Sequence, residues 1–66
     1  MDRKQAQQAV DDAMADGIKK LFGVLVQALM ADGGHEDALK RFETGLHVHD
    51  EAHSKASAAV ERIFPE

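Results

Sequence analysis

One interruption constrains this chain more than anything else in it. Asp32-Gly33-Gly34 is the only break in the middle of the 66 residues, and it separates two segments of nearly equal length, roughly 3–31 and 35–63. A glycine just past a helix end supplies the left-handed backbone that closes a helix, and a second lets the chain reverse. The single proline, Pro65, stands at the far end, where a helix must stop in any case. Both segments are rich in Ala, Leu, Gln, Glu, Lys and Met, all good helix formers. Glu36 and Asp37 fall in the first turn of the second segment and Arg62 in its last, the ends where a helix dipole favours each sign. The expected fold is all-α: one antiparallel helical hairpin over residues 1–66, with a helix at 3–31, a turn at 32–34 and a helix at 35–63.

Hydrophobic spacing supports this reading. Leu39, Phe42, Leu46, His49, His53, Ala56, Val60 and Ile63 recur at intervals of 3, 4, 3, 4, 3, 4 and 3, an unbroken heptad seam. In the first segment Val10, Met14, Gly17, Leu21, Val24 and Ala28 run 4, 3, 4, 3 and 4, with Ile18 and Leu25 alongside. Such spacing predicts left-handed bundle packing at a shallow angle. Short alternations at 21–26 and 46–49 also fit strands, but their flanks are helical and no turn separates plausible strand partners.

The two halves of the first segment differ. From 3 to 20 the apolar stripe is narrow, whereas from 21 to 30 it runs nearly all round, with Gln27 the only polar residue in ten. Phe22, Val26 and Leu29 point away from the seam that holds Leu21, Val24 and Ala28. One neighbouring helix cannot cover both sides. Size adds to the difficulty: of 29 hydrophobic residues 11 are alanine, and a chain this short buries only about 60% of its unfolded surface. The surplus is expected to meet a second copy or a different protein, most simply as a homodimer in which two hairpins form a four-helix bundle. The interface is expected at Phe22, Val26 and Leu29, backed by Leu21, Leu25 and Phe42.

Composition excludes several functions. Without cysteine there are no disulfides, thiolate metal sites or thiol nucleophiles. The run 21–30 is half the length of a membrane span. Residues 17–30, with Lys19 and Lys20 ahead of the apolar run, taken alone resemble a membrane-surface helix, but the chain's net charge of −4 opposes docking on anionic lipid. The first twenty residues carry eight charges and no apolar leader core, so the chain reads as cytoplasmic. Ser54 and Ser57 lie on a helix without the strained turn a nucleophilic serine uses. Gly33-Gly34 lacks the spacing and the lysine of a phosphate loop. An enzyme is not expected.

One constellation carries possible chemistry, the string Leu46-His47-Val48-His49-Asp50-Glu51-Ala52-His53. His49 and His53 stand one turn apart on the seam, and His47 and Glu51 form a second such pair on a neighbouring face. Helical bundles build zinc and di-metal sites from imidazoles and carboxylates at this spacing. Folding about residues 33 and 34 sets His49 beside Gly17 and Ile18, and His53 beside Met14 and Ala13, with Asp12 or Asp16 as outer acceptors. The alternative to a simple interaction module is therefore a bundle binding zinc or iron through His49 and His53, with His47 and Glu51 as further ligands. The plainer account is that these histidines bond across the helices and set register. His35, at the turn, is expected to be solvated.

The overall plan resembles the Rop family of plasmid copy-number regulators, hairpins of two helices that dimerise and bind paired RNA loops. The resemblance lies in the layout and in the short string Leu46-His47-x-His49. It implies a dimeric four-helix bundle and, as a third function, RNA binding by the dimer. The charge pattern argues against that function. Asp2, Asp11, Asp12 and Asp16 cancel Arg3, Lys4, Lys19 and Lys20 over residues 1–20, where a phosphate-tracking surface needs a basic stripe. The function expected from the sequence is a small, non-enzymatic regulatory or protein–protein interaction module.

Overall fold

In a computed structural model, residues 1–31 and 35–65 are described. They form two α-helices, α1 (Arg3–Met30) and α2 (His35–Ile63), packed against each other along their length. The pair is long and thin, with Cα extents of 51 × 15 × 8 Å. The segments 21–26 and 46–49 are helical, so the strand alternative falls. The predicted turn at 32–34 lies outside the described residues.

Local hydrogen bonds close three of the helix ends. Asp2 caps α1 through a reciprocal box: its carboxylate accepts from the Gln5 amide at 2.8 Å, and the Gln5 side chain accepts from the Asp2 amide at 3.0 Å. This satisfies two donors that a helix start leaves without partners. At the other end α1 closes with the Ala31 amide donating to the Gln27 carbonyl at 3.2 Å. α2 ends with the Phe64 amide on the Val60 carbonyl at 2.8 Å, one residue before Pro65.

The middle of each predicted seam is in place and its ends have moved. On α2, Phe42, Leu46, His49, His53 and Ala56 are half-buried and Val60 is buried, but Leu39 is 49% exposed and Ile63 67% exposed. Ala38 is buried and Phe64 half-buried in their stead. The cause is geometric. A heptad stripe drifts by about 20° per repeat around a straight helix of 3.6 residues per turn. A stripe centred on the middle of α2 therefore leaves the contact line on opposite sides at its two ends. The same correction applies on α1, where Val24 is 63% exposed and Leu25, one residue on, is half-buried.

Glycines set how closely the helices approach. A Cβ on Gly17 would overlap the His49 ring, lying 2.6 Å from its Cδ2, and a Cβ on Gly45 would lie 2.6 Å from a Leu21 methyl. Real Cβ atoms do not come that close to side chains. Each glycine is thus a notch that seats a large side chain of the opposite helix. Gly23 differs, because a Cβ there would meet nothing within 4 Å.

Candidate functional site

Among the described residues, the long-range polar contacts lie in the half of the hairpin away from the turn. Gln7 and Asp11 stand one turn apart on α1, and His53 and Ser57 one turn apart on α2. The two pairs interlock across the seam: the Gln7 amide donates to Ser57 Oγ at 3.0 Å and to Asp11 Oδ1 at 3.0 Å, while His53 Nε2 meets the same Asp11 oxygen at 2.7 Å. A carboxylate can only accept, so the His53 nitrogen facing it carries a proton. The hydrogen bond from His53, and secondarily that from Gln7, hold the Asp11 carboxyl below its ordinary value, against a smaller opposing effect of burial. Further out, Arg3 bridges to Glu61 at 3.3 Å.

The predicted outer acceptors are elsewhere. Asp12 accepts from Gln8 on its own helix at 2.8 Å, and Asp16 pairs with Lys20 at 3.6 Å. The carboxylate that reaches His53 is Asp11, for which the sequence reading assigned no role. The sequence carries part of the signal: two pairs of polar residues at helical spacing, one on each segment, stand at levels that meet when the chain folds back.

The four proposed metal ligands do not converge. His49 and His53 share a groove of about 280 Å³ whose other walls are Val10, Ala13, Met14, Ala52 and Ala56. His49 sits against Gly17 as expected, and His53 is engaged by Asp11. His47 and Glu51 are exposed, and Glu51 is bridged by Lys55 at 3.0 Å. Among the described residues no group of three or more histidines and carboxylates is close enough to hold a metal ion. One chain therefore offers at most two imidazoles in an apolar groove, half of what a closed zinc site requires.

The turn half presents a different kind of surface. Phe22, Val26 and Leu29 are 58%, 38% and 45% exposed, off the contact line as the sequence predicts. Leu21, Leu25 and Phe42, expected to back that interface, are half-buried within the hairpin. Leu39 joins the exposed set. Its side of the hairpin follows from helix arithmetic, since 18 residues make five whole turns and return a side chain to the same direction. Lys4, Gln8, Asp11, Ser57 and Glu61 together line one cleft of about 850 Å³ near the chain ends. Five turns along from Lys4, Gln8, Asp11 and Ser57 stand Phe22, Val26, Leu29 and Leu39. One broad side of the molecule is thus polar in the half near the chain ends and apolar in the half near the turn.

Comparison of the chain with protein-family models, with characterised proteins and with solved structures returned no match. No helix among the described residues is long and apolar enough to cross a membrane.

Proposed function

We propose that this chain is a small, non-enzymatic interaction module that works as a homodimer, two hairpins closing into a four-helix bundle. Surface area carries the argument. A compact monomer of this mass, 7.2 kDa, is expected to expose about 4,100 Å², and the single chain exposes 5191 Å². The excess, roughly 1,000 Å², is enough to supply the roughly 800 Å² that one partner contributes to a standard protein–protein interface. Burial gives the same answer. Only Ala6, Ala38 and Val60 are buried among the described residues, and no large side chain is fully buried. Eighteen large apolar residues without a finished core support a chain that completes its packing with a partner.

A regulatory binding role fits this better than catalysis. The polar residues that do come together, Gln7, Asp11, His53 and Ser57, are occupied in holding one helix to the other. RNA binding by the dimer has no comparable support, because the acidic residues of α1 interrupt its basic ones along the exposed surface.

The test is unfolding at several protein concentrations. A dimer that is more stable than its separated chains melts higher as concentration rises. A melting temperature unchanged over a hundredfold range of concentration, in a well-folded protein, would overturn the reading.

A further inference from the structure

We infer that the two copies pair like half with like half: the turn half of one hairpin packs against the turn half of the other, and the two-fold axis passes through the patch of Phe22, Val26, Leu29 and Leu39. This rests on the dimer proposed above and adds its arrangement. Two hairpins meeting face to face about a two-fold axis have a choice. They can overlap along their whole length head to tail, each turn lying over the other's chain ends, or they can bring the same halves together.

The distribution of side chains along one face decides between these. Head-to-tail overlap lays Phe22, Val26 and Leu29 of one copy on the stretch that holds Lys4, Gln8, Asp11 and Glu61 of the other. That would take charged groups out of water against apolar partners that offer them no hydrogen bonds, and would set mostly polar and charged residues opposite the phenylalanine. Pairing like with like sets apolar side chains of both helices against their own copies. It leaves the Gln7–Asp11–His53 contacts and the Arg3–Glu61 bridge as they stand in one chain. It also accounts for Leu39: a residue that leaves the intrachain contact line on the same side as Phe22 widens the patch from one helix to two.

Distances between spin labels test this directly, and the absence of native cysteine makes single-cysteine labelling clean. Val26→Cys replaces a half-sized apolar group within the patch. Glu36→Cys, one turn before Leu39 on an exposed position, labels the same half without touching an apolar contact. With like halves paired, the label at 26 lies within about 20 Å of its copy, offset along the axis by a few rises of about 1.5 Å and across the interface by about one helix spacing of 8–10 Å. In the head-to-tail bundle the two copies of residue 26 stand roughly 28 Å apart along the axis, and the copies of residue 36 about 40 Å apart. A sample mixing Val26→Cys with Gln8→Cys chains then gives the short distance instead. Short 26–26 and 36–36 distances, with sedimentation showing two chains, support the inference. A dimer with long 26–26 and short 26–8 distances overturns it and leaves the dimer intact. Unlabelled protein, or protein labelled only at Glu36→Cys outside the patch, that sediments as a folded monomer overturns the dimer itself.

Discussion

The two halves of the hairpin solve the same packing problem in opposite ways. Near the chain ends the facing residues are small, Ala6, Val10, Ala56 and Val60, and two of the three buried residues are there. Polar bridges finish that half: Gln7 to Ser57, His53 to Asp11, Arg3 to Glu61. Near the turn the side chains are large, and Leu21, Leu25, Phe42 and Leu46 fill the seam only partly while Phe22, Leu29 and Leu39 remain about half exposed. The sequence places more apolar surface near the turn than near the chain ends, yet in the single chain packing is the more complete near the chain ends. Hydrophobic content and completeness of packing are separate quantities. Two helices have one shared face, so apolar residues beyond what that face can cover add exposed surface until a further helix arrives.

Phe22 offers the largest test of this contrast. If it belongs to a core between chains, Phe22→Ala lowers dimer stability by about 3–5 kcal/mol per chain, the cost of removing a buried phenylalanine. Chemical denaturation at fixed concentration measures it. A loss of under about 0.5 kcal/mol, typical of an exposed site, would return Phe22 to the solvent.

Glycine substitutions probe the seam at a finer scale. Gly17→Ala drives a methyl into the His49 ring, and overpacking of this kind costs about 1–3 kcal/mol, reduced by the roughly 1 kcal/mol that alanine gains in a helix. A net loss of about 1 kcal/mol is expected, turning to a gain when His49→Ala is added. A double-mutant cycle reads this coupling, and additivity would mean that the ring moves aside without cost. Gly23→Ala sits over open space, so it should stabilise the protein by about 1 kcal/mol. A thermal melt shows the sign. Destabilisation at Gly23 would instead place a second chain close against that stretch of backbone.

The smallest expected effect belongs to Asp11. Its folded carboxyl lies below the ordinary value of 3.8, chiefly through the hydrogen bond from His53. A depressed acid pKa stabilises the fold above the unfolded value, and that contribution is lost as pH falls through the lower folded value. Stability near the chain ends should therefore decline below about pH 3.8, and His53→Ala should bring the Asp11 titration back up towards normal. Carboxyl chemical shifts followed against pH would check it, and an Asp11 curve that does not move in the variant would contradict the bond.

Much of this architecture was legible in the residues. Both helices start where predicted, with α1 ending one residue early, and the centre of each seam is as the spacing says, because the glycine break and the 3–4 rhythm depend only on local geometry. The contact of His49 with Gly17 followed from folding the chain back on itself. Leu39, Ile63 and Val24 were misplaced because a heptad template and a straight helix part company over four repeats. Asp11 was passed over because counting residues from the turn fixes the level of a side chain along the hairpin, and its choice among three neighbouring aspartates depends on its direction around the helix. The ligand set of His47, His49, Glu51 and His53 combined spacing along α2 with the fold-back onto α1, and in the single chain only His49 and His53 share a groove. Spacing puts residues on a face, and what that face meets is a property of the fold.

On this reading the turn half of the hairpin is completed by a second copy of the chain. Sedimentation equilibrium at micromolar concentration tests it most directly. A single species with twice the 7.2 kDa mass of one chain is expected, shifted towards the monomer by Phe22→Ala. A stable, well-folded species of 7.2 kDa at that concentration would contradict it.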